Sequence, residues 1–167
     1  AQGIFGQEGA DCVIGGGFGM PSDSSFQPCE PDWSLESYGR LYNYQAAVDS
    51  RGLCPSGWHV STDDDFNLLE SYLQEQGFSG SEILVLKATS GWGPGNNGTD
   101  VFGFRALPGG QYSQEGFSYA GGLGRIFSPS TAYPWSSYRD FYGTGPFGSP
   151  TAPPSKGLSV RCTLDSE

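Results

Sequence analysis

Basic residues are scarce in this chain: 8 lysines and arginines stand against 18 aspartates and glutamates, a formal charge of −10 over 167 residues. Such a surface repels phosphate backbones and anionic headgroups, which excludes nucleic acid and membrane surfaces as natural partners. No run approaches the roughly 20 apolar residues that a bilayer-spanning helix needs, so membrane insertion is not expected. There is a single histidine, His59, and no CxxC pair, which leaves no Cys/His zinc pattern. A GxSxG element is also missing, as is any cofactor-binding motif, so neither a nucleophile with its general base nor a cofactor is expected. These absences point to a binding or building module and not to an enzyme.

Glycine and proline are abundant (27 and 12), yet 24 aromatics (11 Phe, 9 Tyr, 4 Trp) are spread along the whole chain. That composition reads as one loop-rich globular domain. The chain starts at Ala1-Gln2-Gly3 with neither methionine nor a leader, the form expected of an extracellular or cell-surface protein after signal-peptide removal. Four cysteines, Cys12, Cys29, Cys54 and Cys162, suit two disulfides in an oxidising compartment. Of the three connectivities, spacing favours Cys12 with Cys29 across a short glycine-rich segment. Cys54 then pairs with Cys162 around most of the remaining chain.

Residues 1–33 read as a glycine- and serine-rich N-terminal arm, and residues 34–167 as the domain proper. Such an arm either packs as a strand on its own domain or docks on a neighbouring subunit. Ser34 to Val48 has apolar residues at three- and four-residue steps (Leu35, Tyr38, Leu41, Tyr42, Ala46), predicting a helix. A second helix begins at Ser61 or Thr62 as cap, carries Asp63, Asp64 and Asp65 in its first turn, buries Phe66, Leu69, Tyr72 and Leu73, and ends at Gly77. The three aspartates also invite comparison with a calcium site, but capping accounts for them and no metal is expected. Beyond Gly80, the runs Ile83–Leu86, Phe102–Leu107, Phe117–Tyr119 and Leu158–Cys162 read as short strands between long loops. The expected class is α+β, two early helices followed by short strands.

The segments Tyr38-Gly39-Arg40-Leu41-Tyr42-Asn43-Tyr44-Gln45-Ala46-Ala47, Leu53-Cys54-Pro55-Ser56-Gly57-Trp58-His59-Val60 and Leu86-Lys87-Ala88-Thr89 come in a distinctive order. Gly103-Phe104-Arg105-Ala106-Leu107-Pro108-Gly109-Gly110 and Gly157-Leu158-Ser159-Val160-Arg161-Cys162 complete the series. Over about residues 38–162 this order resembles the Fibrobacter succinogenes major paralogous domain, a family of secreted bacterial modules. The resemblance implies a C-type lectin-like fold, with two helices packed on a small twisted antiparallel sheet with long loops, and a Cys54–Cys162 bridge. Two stretches depart from the family pattern: the cysteine-bearing arm stands where further strands are usual, and Phe127-Ser128-Pro129-Ser130-Thr131 replaces a Trp-Ser-Ser-Thr motif. The calcium-dependent sugar motifs of C-type lectins are missing, and all four cysteines are accounted for as bridges, unlike the reactive pair of the related formylglycine-generating fold.

Aromatic residues among glycine and serine suit sugar stacking or subunit contacts. Trp92, Tyr112, Tyr133, Trp135, Tyr138 and Tyr142 are the candidates, with Phe117, Tyr119 and Phe141 nearby, and about half of this set is expected in the core. Asn97-Gly98-Thr99 is a glycosylation sequon at Asn97 that also reads as a turn. His59, inside a family motif, is expected to be structural. Two functions follow: a self-assembling subunit of an extracellular filament or surface layer, whose partner is a copy of itself, or a monomeric module that binds polysaccharide through its loop aromatics.

Overall fold

The computed structural model describes residues 4–5, 36–130 and 136–166 of the chain. Its strands are β1 (Ile4–Phe5), β2 (Leu41–Tyr42), β3 (Trp58–Val60), β4 (Gln111–Ser113), β5 (Gly116–Ser118), β6 (Gly124–Phe127), β7 (Ser136–Phe141), β8 (Thr151–Ala152) and β9 (Cys162–Leu164). Three helices carry labels here: α1 (Tyr44–Ala47), α2 (Asp63–Glu75) and α3 (Glu82–Leu86). The class is α+β with a Cys54–Cys162 disulfide. No helix of the described residues is long and apolar enough to cross a membrane.

The strands form four small antiparallel sheets instead of the expected single one: β1-β2, β3-β9, β4-β5 and β6-β7-β8. One segment ties three of them together. Leu158 exchanges backbone hydrogen bonds with Tyr42 (2.8 and 2.9 Å), Gly157 with Tyr112 (2.9 and 3.0 Å), and Ser159 with Arg125 and Phe127 (3.0 and 2.9 Å). Thus Gly157 serves β4, while Leu158–Cys162, expected as a strand, serves β2 and β6 through Leu158 and Ser159 and becomes strand only at Cys162.

The core has two parts. Phe66 and Leu73 of α2 pack with Ile83, Val85, Leu86, Trp92, Ala106, Ile126 and Phe141, while Ala47, Phe127, Tyr138, Ala152 and Leu158 form a second cluster. Ile126 and Phe127 are neighbours on β6, and strand alternation sends one to each cluster, so β6 is the wall between them. Full burial of a side chain such as Leu73 is worth about 1.5–3 kcal/mol.

Three sequence expectations change. The helix predicted over Ser34–Val48 is a helical turn at residues 36–38 and then α1, since Gly39 takes a left-handed φ of +78° and Leu41–Tyr42 is drawn out to pair with Ile4–Phe5; Ser34 lies outside the described residues. Ile83–Leu86 is helical, because a short apolar run buried on several sides satisfies its backbone internally: Val85 N–H donates to Ser81 (3.2 Å) and Lys87 N–H to Ile83 (3.1 Å). Phe102–Leu107 is loop with one bridge, Lys87 to Ala106.

Candidate functional site

Helix α2 is fixed at both ends by local chemistry. Thr62 caps the N-terminus, accepting from the Asp65 N–H (3.3 Å), while Asp65 Oδ2 accepts from the Thr62 N–H (2.7 Å) and hydroxyl (2.7 Å). At the C-terminus, Gly77 at φ +87° lets its N–H reach Gln74 O and the Phe78 N–H reach Leu73 O, both at 3.0 Å. Asp63 points elsewhere: it faces Arg139 of β7 (3.1 Å), a nearly fully buried cation that also donates to Asn67 Oδ1 (2.6 Å). Asp64 is exposed. The three aspartates diverge, and no group of three metal-ligating side chains occurs among the described residues.

His59, on β3, lies between two carboxylates. Nδ1 is 2.7 Å from Asp165 Oδ1 and Nε2 is 2.9 Å from Asp65 Oδ2. Neutral imidazole donates through one nitrogen only, so satisfying both acceptors requires the doubly protonated ring. Hydrogen bonds to Asp165 and then Asp65 accordingly raise the His59 pKa above its ordinary 6.5. Burial pushes Asp65 upward, but the bonds from Thr62 and His59 outweigh it and hold the carboxyl below 3.8. The trio joins the residues after β9 to the cap of α2.

Beside this clamp opens a shallow groove of about 310 Å³, lined by Ser61, Asp65, Phe66, Leu68, Leu69, Phe104 and Thr163. Its walls are mainly apolar, with polar groups at Asp65 and where the Ser61 and Thr163 hydroxyls meet at 2.7 Å. The β3–β9 pairing, with Val60 opposite Cys162, and the disulfide from Cys162 to Cys54 hold this edge in place. The arrangement offers an apolar contact surface, and both nitrogens of the neighbouring His59 are engaged by carboxylates.

A family model, Fibrobacter succinogenes major domain, matches residues 21–163. The chain belongs to this family. Neither a curated protein nor a solved structure matches it. The Fibrobacter succinogenes major domain match starts at residue 21, inside the arm, earlier than the motifs alone indicate. It takes in Cys29 as well as the bridged Cys54 and Cys162.

Within this domain the candidate aromatics scatter. Trp92 is buried: its Nε1–H donates to Ala106 O (3.1 Å), and Lys87 Nζ stands 4.1 Å above its ring. Tyr138 is also interior, under the Arg125 guanidinium at 5.0 Å. Neither is a surface platform, because each supplies volume to a loop-rich core. Tyr112 is half-buried against Phe117 (4.9 Å), and Tyr142 is exposed. Cys12, Cys29, Tyr133 and Trp135 lie outside the described residues. The Asn97 side chain accepts from the Trp92 N–H (3.2 Å), but the turn lies just before it, at residues 93–96, where the Asn96 N–H donates to Gly93 O (2.9 Å), and not at Asn97-Gly98 as expected.

Sequence reasoning misplaced Tyr72 and passed over Leu68. Both face outward, while Phe66 and Leu73 face inward. The signal was present: Leu68 and Tyr72 are four residues apart and form a second apolar line on α2.

Proposed function

We propose that the chain is a non-catalytic, secreted structural module that assembles with copies of itself, as a subunit of an extracellular filament or surface layer. The observation that carries this reading is β1. Ile4 and Phe5 pair with Tyr42 and Leu41, while Tyr42 is bonded to Leu158 on another side. A strand of two residues gains little against the entropy of ordering its arm, so the β2 edge accepts the same strand from a neighbour at nearly equal free energy. An arm that serves either its own domain or the next one links subunits into a chain.

Other features agree. A disulfide spanning 108 residues belongs to an oxidising compartment. The only histidine has no free nitrogen to serve as a base. A capped helix beside small twisted sheets, closed by a bridge between early and late segments, supports the C-type lectin-like reading of the fold. The glycan-binding alternative keeps only Tyr112 and Tyr142 of its described candidates, too few for a stacking platform.

Size-exclusion chromatography and negative-stain microscopy of the full chain test the proposal. Filaments are expected that shorten to small oligomers in Phe5→Pro, since proline cannot donate to a ladder. A wild-type chain that stays monomeric at high concentration refutes it.

A further inference from the structure

Helix α2 has a second apolar face that the fold leaves open. Leu68 is 71% exposed and Tyr72 48%; beside them Val101 is 55% and Phe102 38% exposed. The Phe102 ring stands edge-on to Tyr72 (centroids 5.9 Å apart) and to Phe78 (5.4 Å), so these residues make one stripe. At the Leu68 end the stripe runs into the groove, where Phe104 joins it. Single exposed apolar residues are ordinary, but a contiguous patch with a polar rim marks a contact surface.

The rim identifies the occupant. On the helix side stand Asp64, four residues before Leu68, and Glu75, three after Tyr72, both exposed and on the same helical face. On the Phe104 side stand exposed Arg105 and half-buried Arg161; the Arg161 guanidinium lies 4.7 Å from the Phe104 ring and donates to Arg105 O (2.8 Å). The other acids on that side are engaged: Asp65 by Thr62 and His59, and Asp100 by the Arg105 N–H (2.7 Å).

An apolar stripe with acids along one edge and cations along the other is its own complement. A two-fold axis parallel to the stripe sets each acidic edge opposite a basic one. We propose that this face is a two-fold contact with the same face of a second copy of the chain. The arm suits it less well: its charged residues are Glu8, Asp11, Asp23, Glu30 and Asp32, all of the same sign as α2. The inference rests on the self-assembly reading and adds to it a contact that does not involve the arm.

Sedimentation velocity on the full-length Phe5→Pro chain, in which strand exchange is blocked, tests the contact separately. Dimers are expected to persist. Leu68→Asp in that background weakens dimerisation about thirtyfold, the effect of removing a central anchor. Arg105→Glu also weakens it, and Arg105→Glu with Glu75→Lys restores it; an unchanged thermal midpoint shows that each variant is folded. Three results each overturn the proposal: a Phe5→Pro chain that is monomeric throughout, Leu68→Asp without effect, or no rescue by the double swap. Filaments that survive in Leu68→Asp while dimers are unaffected overturn this contact alone and leave the arm-based assembly standing.

Discussion

Helix α2 and the segment Gly157–Ser159 hold the molecule together by opposite means. The helix is specified locally: its cap, its box and its terminal glycine lie within a few residues of the atoms they serve. Gly157, Leu158 and Ser159 have almost no local structure, yet they bond to β2, β4 and β6 from across the chain. Local signals make an element that looks stable by itself, whereas a segment with none can carry more of the fold, because each bond it makes closes a long loop.

Four measurements sharpen the contrast. The largest effect is expected at the distant closure: replacing Cys54 and Cys162 together by serine removes a bridge over 108 residues and costs about 4–5 kcal/mol in urea unfolding, on the chain-entropy account. Next, Leu158→Ala, at a fully buried position, costs about 3 kcal/mol. Thr62→Ala, which removes a local cap, costs only about 1 kcal/mol. If Thr62→Ala proves more damaging than Leu158→Ala, the comparison fails.

The smallest effect lies where the two regions meet, at His59. Because its folded pKa is raised, its contribution is complete below the ordinary value of 6.5 and is lost as pH rises through the higher folded value. Asp65 is lowered, so its contribution is complete above 3.8 and is lost as pH falls through the lower folded value. The clamp is therefore strongest between these two ordinary values. Thermal midpoints of wild type should fall on the alkaline side of this window, and His59→Gln should flatten that limb. An identical profile in the variant would remove the clamp from the account.

Elements with local partners could be read in advance, and those with distant partners could not. The aspartate-rich start of α2, its glycine stop and the Cys54–Cys162 pair were legible, since each depends on neighbours or on parity and spacing. The break at Gly39 was not, because Leu41 and Tyr42 leave the helical pattern only to meet β1 and the bridging residue Leu158. Ile83–Leu86 could not be assigned from periodicity, as an apolar run of that length serves a buried helix or a strand equally well. The aromatics misled for a related reason: with so little regular structure, Trp92 and Tyr138 are needed inside. The outward line of Leu68 and Tyr72 was visible in the sequence but hidden by the assumption that a helix has one apolar face.

The linking role of Gly157–Ser159 also sets a timetable. Leu158 meets Tyr42 across 116 residues (158 − 42), and Ser159 meets Phe127 across 32 (159 − 127), so a chain emerging in order has its β2, β4 and β6 pieces waiting unjoined until residue 157 arrives. Early β contacts that close long loops gain nothing until the last partner is present. The polypeptide should thus stay open and protease-sensitive through most of its synthesis, then close in one late step. A chain cut before Gly157 should be digested throughout, and resistance in its α2 region alone would show that the helix matures ahead of the rest.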